Sequence, residues 1–286
     1  MHPRMRRFII TVAVAVTAAI APSLAQAQDT TAIPEPEVIQ TRIGTTPMFE
    51  LNDGGGGLPY LGVSHPYNAG DWEGSLREYH DSGVYDRAVA KVDEFADRQI
   101  LRGGHGHGPM GKRALRHGRG RGHGPGPGHG AGGPGHGRQK LALVLDIDET
   151  ALSNYSAIEA DNFTYGPNSQ AEAVNQVGVA IQPTLKLYRD AQARGIAVFF
   201  ITGRPEAERQ PTVENLQREG YSNWAGLTLK QPGTTMTTVQ YKSSARADIE
   251  AQGYHIVANV GDQYSDLAGG HADVAYKLAN PFYFLP

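Results

Sequence analysis

Apolar and polar positions change their spacing repeatedly along the chain, and each change marks an element. Leu141 to Asp148 is apolar on both faces, which predicts a strand in the middle of a parallel sheet. Gln182 to Arg194 has a helical period that stops at Gly195, and Ile196 to Ile201 reads as a second buried strand. The rhythm continues with a helix over Pro205 to Glu219 stopped by Gly220 and a short strand over Gly226 to Lys230. A helix over Ser243 to Gln252 is stopped by Gly253 before a strand over Ile256 to Val260, with Val274 to Leu278 as a fifth strand. Helices that end in glycine ahead of short apolar runs predict an α/β fold, a doubly wound parallel sheet of Rossmann-like type. Upstream, Leu76, Tyr79, Val84, Ala88, Val92, Phe95 and Ile100 recur at mostly helical spacing. Gly83 interrupts them, so a short helix, a kink and a longer helix from Val84 are expected as an N-terminal helical extension.

The chain begins differently. Arg4, Arg6 and Arg7 precede an apolar run from Phe8 to Ala21, Pro22 breaks it, and Ala25-Gln26-Ala27 offers a small-x-small cleavage site. Residues 1–27 therefore read as a signal peptide, too short in its apolar part to serve as a membrane span. The expected mature protein is exported, periplasmic or secreted, with no membrane attachment after cleavage. The absence of cysteine removes both disulfides and the thiol of a lipid anchor. Loss of the three arginines takes the formal charge from −3 to about −6, which disfavours a nucleic acid polymer as partner. Residues 28–57, polar and Pro-containing, ending in four glycines, read as a flexible tail.

Residues 103–139 stand apart in composition. They hold six of the eleven histidines and six Lys or Arg among many glycines, with no acid. Such a Gly/His-rich insertion buries too little apolar surface to offset its ordering entropy, so a disordered loop is expected. Its imidazoles suit weak transition-metal binding; a solvated loop without fixed ligand geometry is the alternative.

Polar residues gather where the predicted strands end, which is where ligands bind in such sheets. The first strand ends in Asp146-Ile147-Asp148-Glu149-Thr150 and the second in Thr202-Gly203-Arg204. Lys242 stands at the start of the helix before the fourth strand, and that strand ends in Gly261-Asp262, followed by Asp266. Carboxylates, a hydroxyl and a lysine would meet at one edge.

This order and spacing resembles the haloacid dehalogenase superfamily of phosphotransferases. More narrowly it is similar to the secreted acid phosphatases of that superfamily (class B-like, subfamily IIIB), a group related to plant vegetative storage proteins and bacterial outer-membrane acid phosphatases. The resemblance runs from about Leu58 to the C-terminus. It makes 58–286 a phosphatase domain carrying the 103–139 insertion, with 155–182 as a small cap region.

The resemblance implies an acid phosphatase that hydrolyses small phosphate monoesters through an aspartyl-phosphate on Asp146, with Mg²⁺ as cofactor. Asp146, Asp262 and the backbone carbonyl of Asp148 would hold the ion, whose preference is for oxygen ligands. Asp148 would protonate the leaving alcohol and later activate water. Thr202, the Gly203 N–H and Lys242 would hold the phosphate oxygens. Thr150 is expected to fix Asp148, and Asp266 to reach the ion through water or to orient Lys242. For Arg204, contact with the phosphate and a salt bridge at the edge of the site both stay open. So do two other functions: a non-catalytic storage or binding protein of the same fold, and a metal-binding protein acting through its His-rich loop. The cap stretch from Ala171 to Ile181 contains no aromatic residue, leaving Tyr155, Phe163 and Tyr165 as candidates to face a substrate. Oligomeric state is open, a homo-oligomer included.

Overall fold

The structure, a computed structural model, describes residues 37–52, 72–103 and 139–284. The expected signal peptide and the body of the Gly/His-rich insertion lie outside the described residues. In chain order the elements are β1 (Glu37–Ile43), β2 (Thr46–Asn52), α1 (Glu73–Asp81), α2 (Val84–Gly103), β3 (Lys140–Leu145), β4 (Leu152–Ser153), α3 (Tyr155–Ala160), α4 (Pro167–Asn175), β5 (Val179–Ala180) and α5 (Gln182–Ala193). They continue with β6 (Ala197–Pro205), α6 (Arg209–Arg218), β7 (Gly226–Lys230), α7 (Thr238–Ala251), β8 (Tyr254–Gly261), α8 (Tyr264–Leu267) and β9 (Ala275–Lys277). Among the described residues no helix is long and apolar enough to cross a membrane.

Seven strands form one sheet in the order β1-β2-β9-β8-β3-β6-β7. All neighbours are parallel except the β1–β2 pair. Because side chains alternate along a strand, β3 divides its apolar residues between two layers. Leu143 and Leu145 share a core with Val89 and Val92 of α2 and Leu185 and Tyr188 of α5, while Ala142 and Val144 pack with Ala245 and Ile249 of α7. Helices on both faces explain why β3 shows no polar alternation.

The expected flexible tail is corrected over residues 37–52, which form an ordered hairpin. Gly44, at φ 59°, takes the left-handed conformation that a two-residue turn between Ile43 and Thr46 requires. β2 then pairs in parallel with β9, Met48 opposite Ala275 and Phe49 opposite Tyr276. The Phe49 ring lies 4.8 Å from Phe95 and 5.7 Å from Tyr276. Glu50, buried here, is satisfied by hydroxyls donated from Thr41 at 2.8 Å and Tyr264 at 2.7 Å. Pro47 and the threonines made this stretch look tail-like, yet burial alternates along β2 from Thr46 to Glu50, as in a strand with one covered face.

Two element boundaries also differ from expectation. α7 begins at Thr238 rather than Ser243 because Thr237 and Gln240 form a capping box, their side chains meeting each other's backbone N–H at 3.2 and 3.0 Å. Lys242 therefore stands in the second turn of α7, not at its start. β6 continues to Pro205, and a 3-10 turn over Glu206–Glu208 precedes α6. The short helix, break at Gly83 and longer helix occur as α1 and α2. Trp224 packs against Phe200, whereas Trp72 is exposed rather than part of the core.

Asp93 is an oddity of the helical layer. It is buried between α2 and α5, where Thr184 Oγ1 donates to it at 2.6 Å, and its second oxygen has no partner. Burial pushes its pKa up to about 7, against a partial opposing effect of the Thr184 hydrogen bond.

Two stability measurements follow from these contacts. Leu51→Ala, which empties a buried site in the main core, should lower urea-unfolding stability by about 2–4 kcal/mol. An unchanged midpoint would mean the hairpin is not part of the fold. For Asp93 the native state holds a proton that the unfolded chain has released between pH 4 and 7, so stability should fall as pH rises through that window. The loss is on the order of 4 kcal/mol at most. Asp93→Asn should flatten that slope and raise stability at pH 8; an identical slope in the variant would exclude Asp93 as its source.

Candidate active site

The parallel strands β3, β6 and β8 all end at one rim of the sheet, and the loops leaving them carry the predicted residues. After Leu145 the chain turns sharply. Glu149 adopts φ 51°, a left-handed conformation rare for a side-chain-bearing residue. It is held there because its backbone N–H donates to Leu152 at 2.8 Å and its buried carboxylate accepts from the Asn154 N–H at 2.6 Å and the Tyr283 hydroxyl at 2.9 Å. This turn sends Asp146 and Asp148 into one cavity of about 460 Å³.

Three carboxylates meet on the floor. Ligand oxygens of Asp146, Asp262 and Asp266, all buried, lie within 4.8 Å of one another. Lys242 reaches up from α7 and donates to Asp146 at 2.5 Å and Asp266 at 2.6 Å. Asp262 accepts from Thr150 Oγ1 at 3.1 Å, Gln263 Nε2 at 2.7 Å and Asn280 Nδ2 at 2.7 Å. Gly261 is needed beside it: a Cβ there would lie 2.6 Å from the Asp266 Cβ. Arg246, buried on α7, donates to the Asp266 and Gly270 carbonyls at 2.6 and 2.8 Å and to that of Ala268, fixing the chain around Asp266.

Lys242, with buried Lys277 acting at longer range on Asp262, does not balance three carboxylates. Burial, together with the charges of Asp266, Asp262 and Asp148, drives the Asp146 pKa well above the usual carboxylate value despite Lys242. Burial and Asp266 raise that of Asp262 to about 6. Lys242 is pushed the other way from what burial alone would do, its pKa raised because Asp146 and Asp266 outweigh desolvation. A cluster that is hard-oxygen throughout and short of positive charge fits a divalent cation of the Mg²⁺ type rather than a soft metal.

Asp148 has a separate environment. Its carboxylate accepts from Arg204 Nη2 at 2.5 Å and Nε at 3.0 Å, from Asn154 Nδ2 at 2.8 Å, and lies 3.4 Å from Thr202 Oγ1. Burial would raise its pKa, but Arg204 and Asn154 together bring it below the ordinary value. Thr202 in turn accepts the Arg204 backbone N–H at 3.1 Å, and its own carbonyl accepts the Tyr241 hydroxyl at 3.1 Å. Gly203 lines the cavity with no side chain to obstruct it.

Three expectations change. Thr150 serves Asp262, not Asp148. Asp266, expected only to support, contributes its carboxylate to the acidic cluster and also holds Lys242. Arg204 takes the salt-bridge option, pairing with Asp148 and Thr212 Oγ1 at 3.2 Å. Asn154, Asn280 and Gln263 were not singled out by residue type, since amides carry no charge signature. Their position beside the motif aspartates was the available signal.

The roof comes from the cap. β4 and β5 pair as a two-stranded ribbon, and the Ile181 N–H and Tyr221 hydroxyl both reach the Ala151 carbonyl, at 3.0 and 2.8 Å. Phe163, Tyr165 and Glu172 from this region line the cavity with Tyr283 and Phe284 of the C-terminal segment. Tyr155 is instead stacked on His80, ring centroids 3.4 Å apart, away from the cavity lining.

The Asp148–Arg204 pair yields a stability prediction. Wild-type Asp148, with its depressed pKa, contributes stability that is present above pH 4 and lost as pH falls through the folded value. Arg204→Met leaves a largely buried carboxylate unpaired, costing about 2–4 kcal/mol at pH 8. The variant should regain stability on acidification to pH 5, where Asp148 takes up a proton. Denaturant midpoints at both pH values decide it, and an equal loss at each would mean the pair is only steric.

Comparison with known proteins agrees with this geometry. Residues 132–286 match the family described as HAD superfamily, subfamily IIIB (Acid phosphatase). The chain is similar to "Acid phosphatase 1" of Solanum lycopersicum, 37% identical over 150 residues, which is 50% of this chain and 58% of that protein. It is also similar to "Vegetative storage protein 1" of Arabidopsis thaliana, 33% identical over 150 residues, 50% of this chain and 55% of that protein. The matched stretch thus spans between half and three-fifths of these curated relatives. In fold, the chain resembles the class C acid phosphatase from Bacillus anthracis solved with tungstate bound, with TM-score 0.53 and 16% identity over 76% of this chain and 86% of that one. With its rim motifs, mainly parallel sheet and matched sequence all in accord, the chain belongs to the HAD superfamily, subfamily IIIB, the acid phosphatase family.

Proposed function

We propose that this protein is an exported, Mg²⁺-dependent acid phosphatase acting on small phosphate monoesters through Asp146. The observation that carries the reading is the convergence of Asp146, Lys242, Asp266 and Asp262 on one cavity floor, with Asp148 beside them in the same cavity. Asp146, Asp262, Asp266 and the Asp148 carbonyl are the groups that would hold the ion. When bound, a divalent cation neutralises charge on a phosphate dianion that would otherwise repel an anionic nucleophile.

In the first step an Asp146 carboxylate oxygen attacks phosphorus as the ester P–O bond breaks, and Asp148 delivers a proton to the departing alkoxide. In the second, Asp148 accepts a proton from water as that water attacks phosphorus. The Asp146–phosphorus bond breaks and inorganic phosphate leaves. The Thr202 hydroxyl, the Gly203 N–H and the Lys242 ammonium take the non-bridging oxygens, where charge is spread in the transition state.

The pH dependence follows from Asp148. In the empty cavity Arg204 and Asn154 hold its pKa low; a phosphate that draws Arg204 away would leave burial to raise it, so the first step should run best at mildly acidic pH. Similarity to a vegetative storage protein keeps a non-catalytic role in view, but nucleophile and acid are both present here with the lysine between the floor carboxylates.

Hydrolysis of p-nitrophenyl phosphate tests the reading. Turnover should require Mg²⁺, be abolished by EDTA, peak below neutrality, and fall by about three orders of magnitude or more in Asp146→Asn. A wild type equally active in EDTA would contradict the proposed chemistry, and a folded wild type with no turnover would favour the storage role.

A further inference from the structure

The acidic floor accounts for the phosphate end of a substrate; the rest of the cavity faces whatever the phosphate is attached to. Its charged lining is unusual for an enzyme of anionic esters. Lys242 is engaged by Asp146 and Asp266, and Arg204 by Asp148. Away from those pairs, Glu172 from α4 and Glu208 from the turn before α6 both line the cavity, with Lys230 at the end of β7. Neither glutamate forms a salt bridge of its own among the described residues; the countercharge that acts on both is Arg204, which is already bonded to Asp148. Beside them stand Tyr165, one of the most exposed aromatic side chains at 80% relative exposure, and the partly exposed Tyr283 and Phe284.

Carboxylates next to accessible aromatic faces form the environment that attracts an ammonium group, by charge and by the ring quadrupole together. A cation already uses one ring of this wall: the Arg77 guanidinium lies 5.4 Å from the Phe163 centroid. We propose, building on the phosphatase reading, that Glu172, with Glu208 and Tyr165, selects phosphate monoesters whose alcohol carries a positively charged ammonium. With both glutamates ionised, an anionic leaving group would meet two carboxylates against Lys230 and an Arg204 already bonded to Asp148, and a neutral one would gain nothing from them.

The state of Glu172 agrees with this placement. Burial first, then the charges of Asp148, Glu208 and Asp161 against that of Arg204, raise its pKa to about 8. Glu208 is shifted up likewise by burial and Asp148, against Arg204. A carboxylate that holds a proton so far above its usual range lies in a negative potential; above about pH 8, where Glu172 ionises, a bound ammonium is the group that satisfies it.

Three substrates separate the possibilities. Choline phosphate carries the cation, and 3,3-dimethylbutyl phosphate has the same shape without charge. 3-Phosphoglycerate carries an anion. With Mg²⁺ present at about pH 8.5, where Glu172 is ionised, kcat/KM for choline phosphate should exceed that for the neutral ester by about tenfold, and 3-phosphoglycerate should be the poorest. Within each of Glu172→Gln and Glu208→Gln the ratio of charged to neutral ester should fall severalfold, and the double variant should bring it near one. A wild-type ratio at or below one, or a ratio untouched in both variants, overturns the proposal. If no ester is hydrolysed, the phosphatase reading has failed separately. Calorimetric binding of choline phosphate and 3,3-dimethylbutyl phosphate to Asp146→Asn, with Mg²⁺, then decides the selection alone. A preference of about tenfold supports it and equal affinities refute it.

Discussion

The ammonium of Lys242, set between Asp146 and Asp266, is the contact on which the rim of the sheet depends. Like charges about 4 Å apart repel by roughly 4 kcal/mol at an effective dielectric constant of 20, so three buried carboxylates cannot simply share a floor. Lys242 removes part of that cost at Asp146 and Asp266, and Asn280, Lys277 and Gln263 remove part of it at Asp262. Burial first, and then the repulsion that remains, raise the carboxylate pKa values of Asp146 and Asp262. The supporting architecture has one purpose in common: α7 begins early at its capping box so that Lys242 stands a turn inside the helix, and Arg246 on the same helix clamps the carbonyls around Asp266. Lysine and aspartate are thus positioned by a single rigid element.

Asp146 and Asp148 are two residues apart yet titrate in opposite directions, because one faces carboxylates and the other faces a guanidinium. In the resting arrangement this is the reverse of what the proposed reaction asks, which is an ionised nucleophile and a protonated acid. A phosphate dianion drawn to the same cavity would compete with Asp148 for Arg204, and an Asp148 released from its cation would rise in pKa under burial alone. Added positive charge at the floor would lower Asp146. The two carboxylates would exchange protonation preference as the site fills, so that neither role is expressed in an empty cavity.

Much of this was legible in the sequence because strand ends are announced by composition. The two-faced apolar runs of β3, β6 and β8 and the glycines closing their preceding helices fix where the chain must emerge, and Asp146, Thr202 and Asp262 emerge there. What stayed hidden follows physical reasons of three kinds. The β1–β2 hairpin lies at a sheet edge, where half-buried strands carry threonine and proline and resemble a tail. The early start of α7 rests on a capping pair, Thr237 and Gln240, which was present in the sequence but outweighed by the lack of apolar periodicity before Ser243. Partner choice among buried polar groups is three-dimensional: Thr150 is two residues from Asp148 and 112 from Asp262, yet it bonds the latter. Sequence proximity suggested the wrong recipient because the turn at Glu149 reverses the chain between them.

The cap shows where family-wide chemistry ends and individual selection starts. The floor is built from strand ends locked into a seven-stranded sheet, so a change there disturbs the ion cluster and the fold together. The roof is a two-strand ribbon and two short helices, tied down through backbone groups such as the Ala151 and Gly178 carbonyls, the latter accepting Asn215 Nδ2 at 2.7 Å. Contacts made through the main chain leave the side chains of α4 free to vary without loss of attachment. The absence of aromatics from Ala171 to Ile181 therefore does not leave the roof bare. Aromatic area is supplied from Tyr165 and from the C-terminal segment, and α4 is left to contribute charge through Glu172. With Lys242 and Arg204 bonded to the cavity's own aspartates and Lys230 alone opposite Glu172 and Glu208, the proposed discrimination by charge would fall at the end of the substrate farthest from phosphorus.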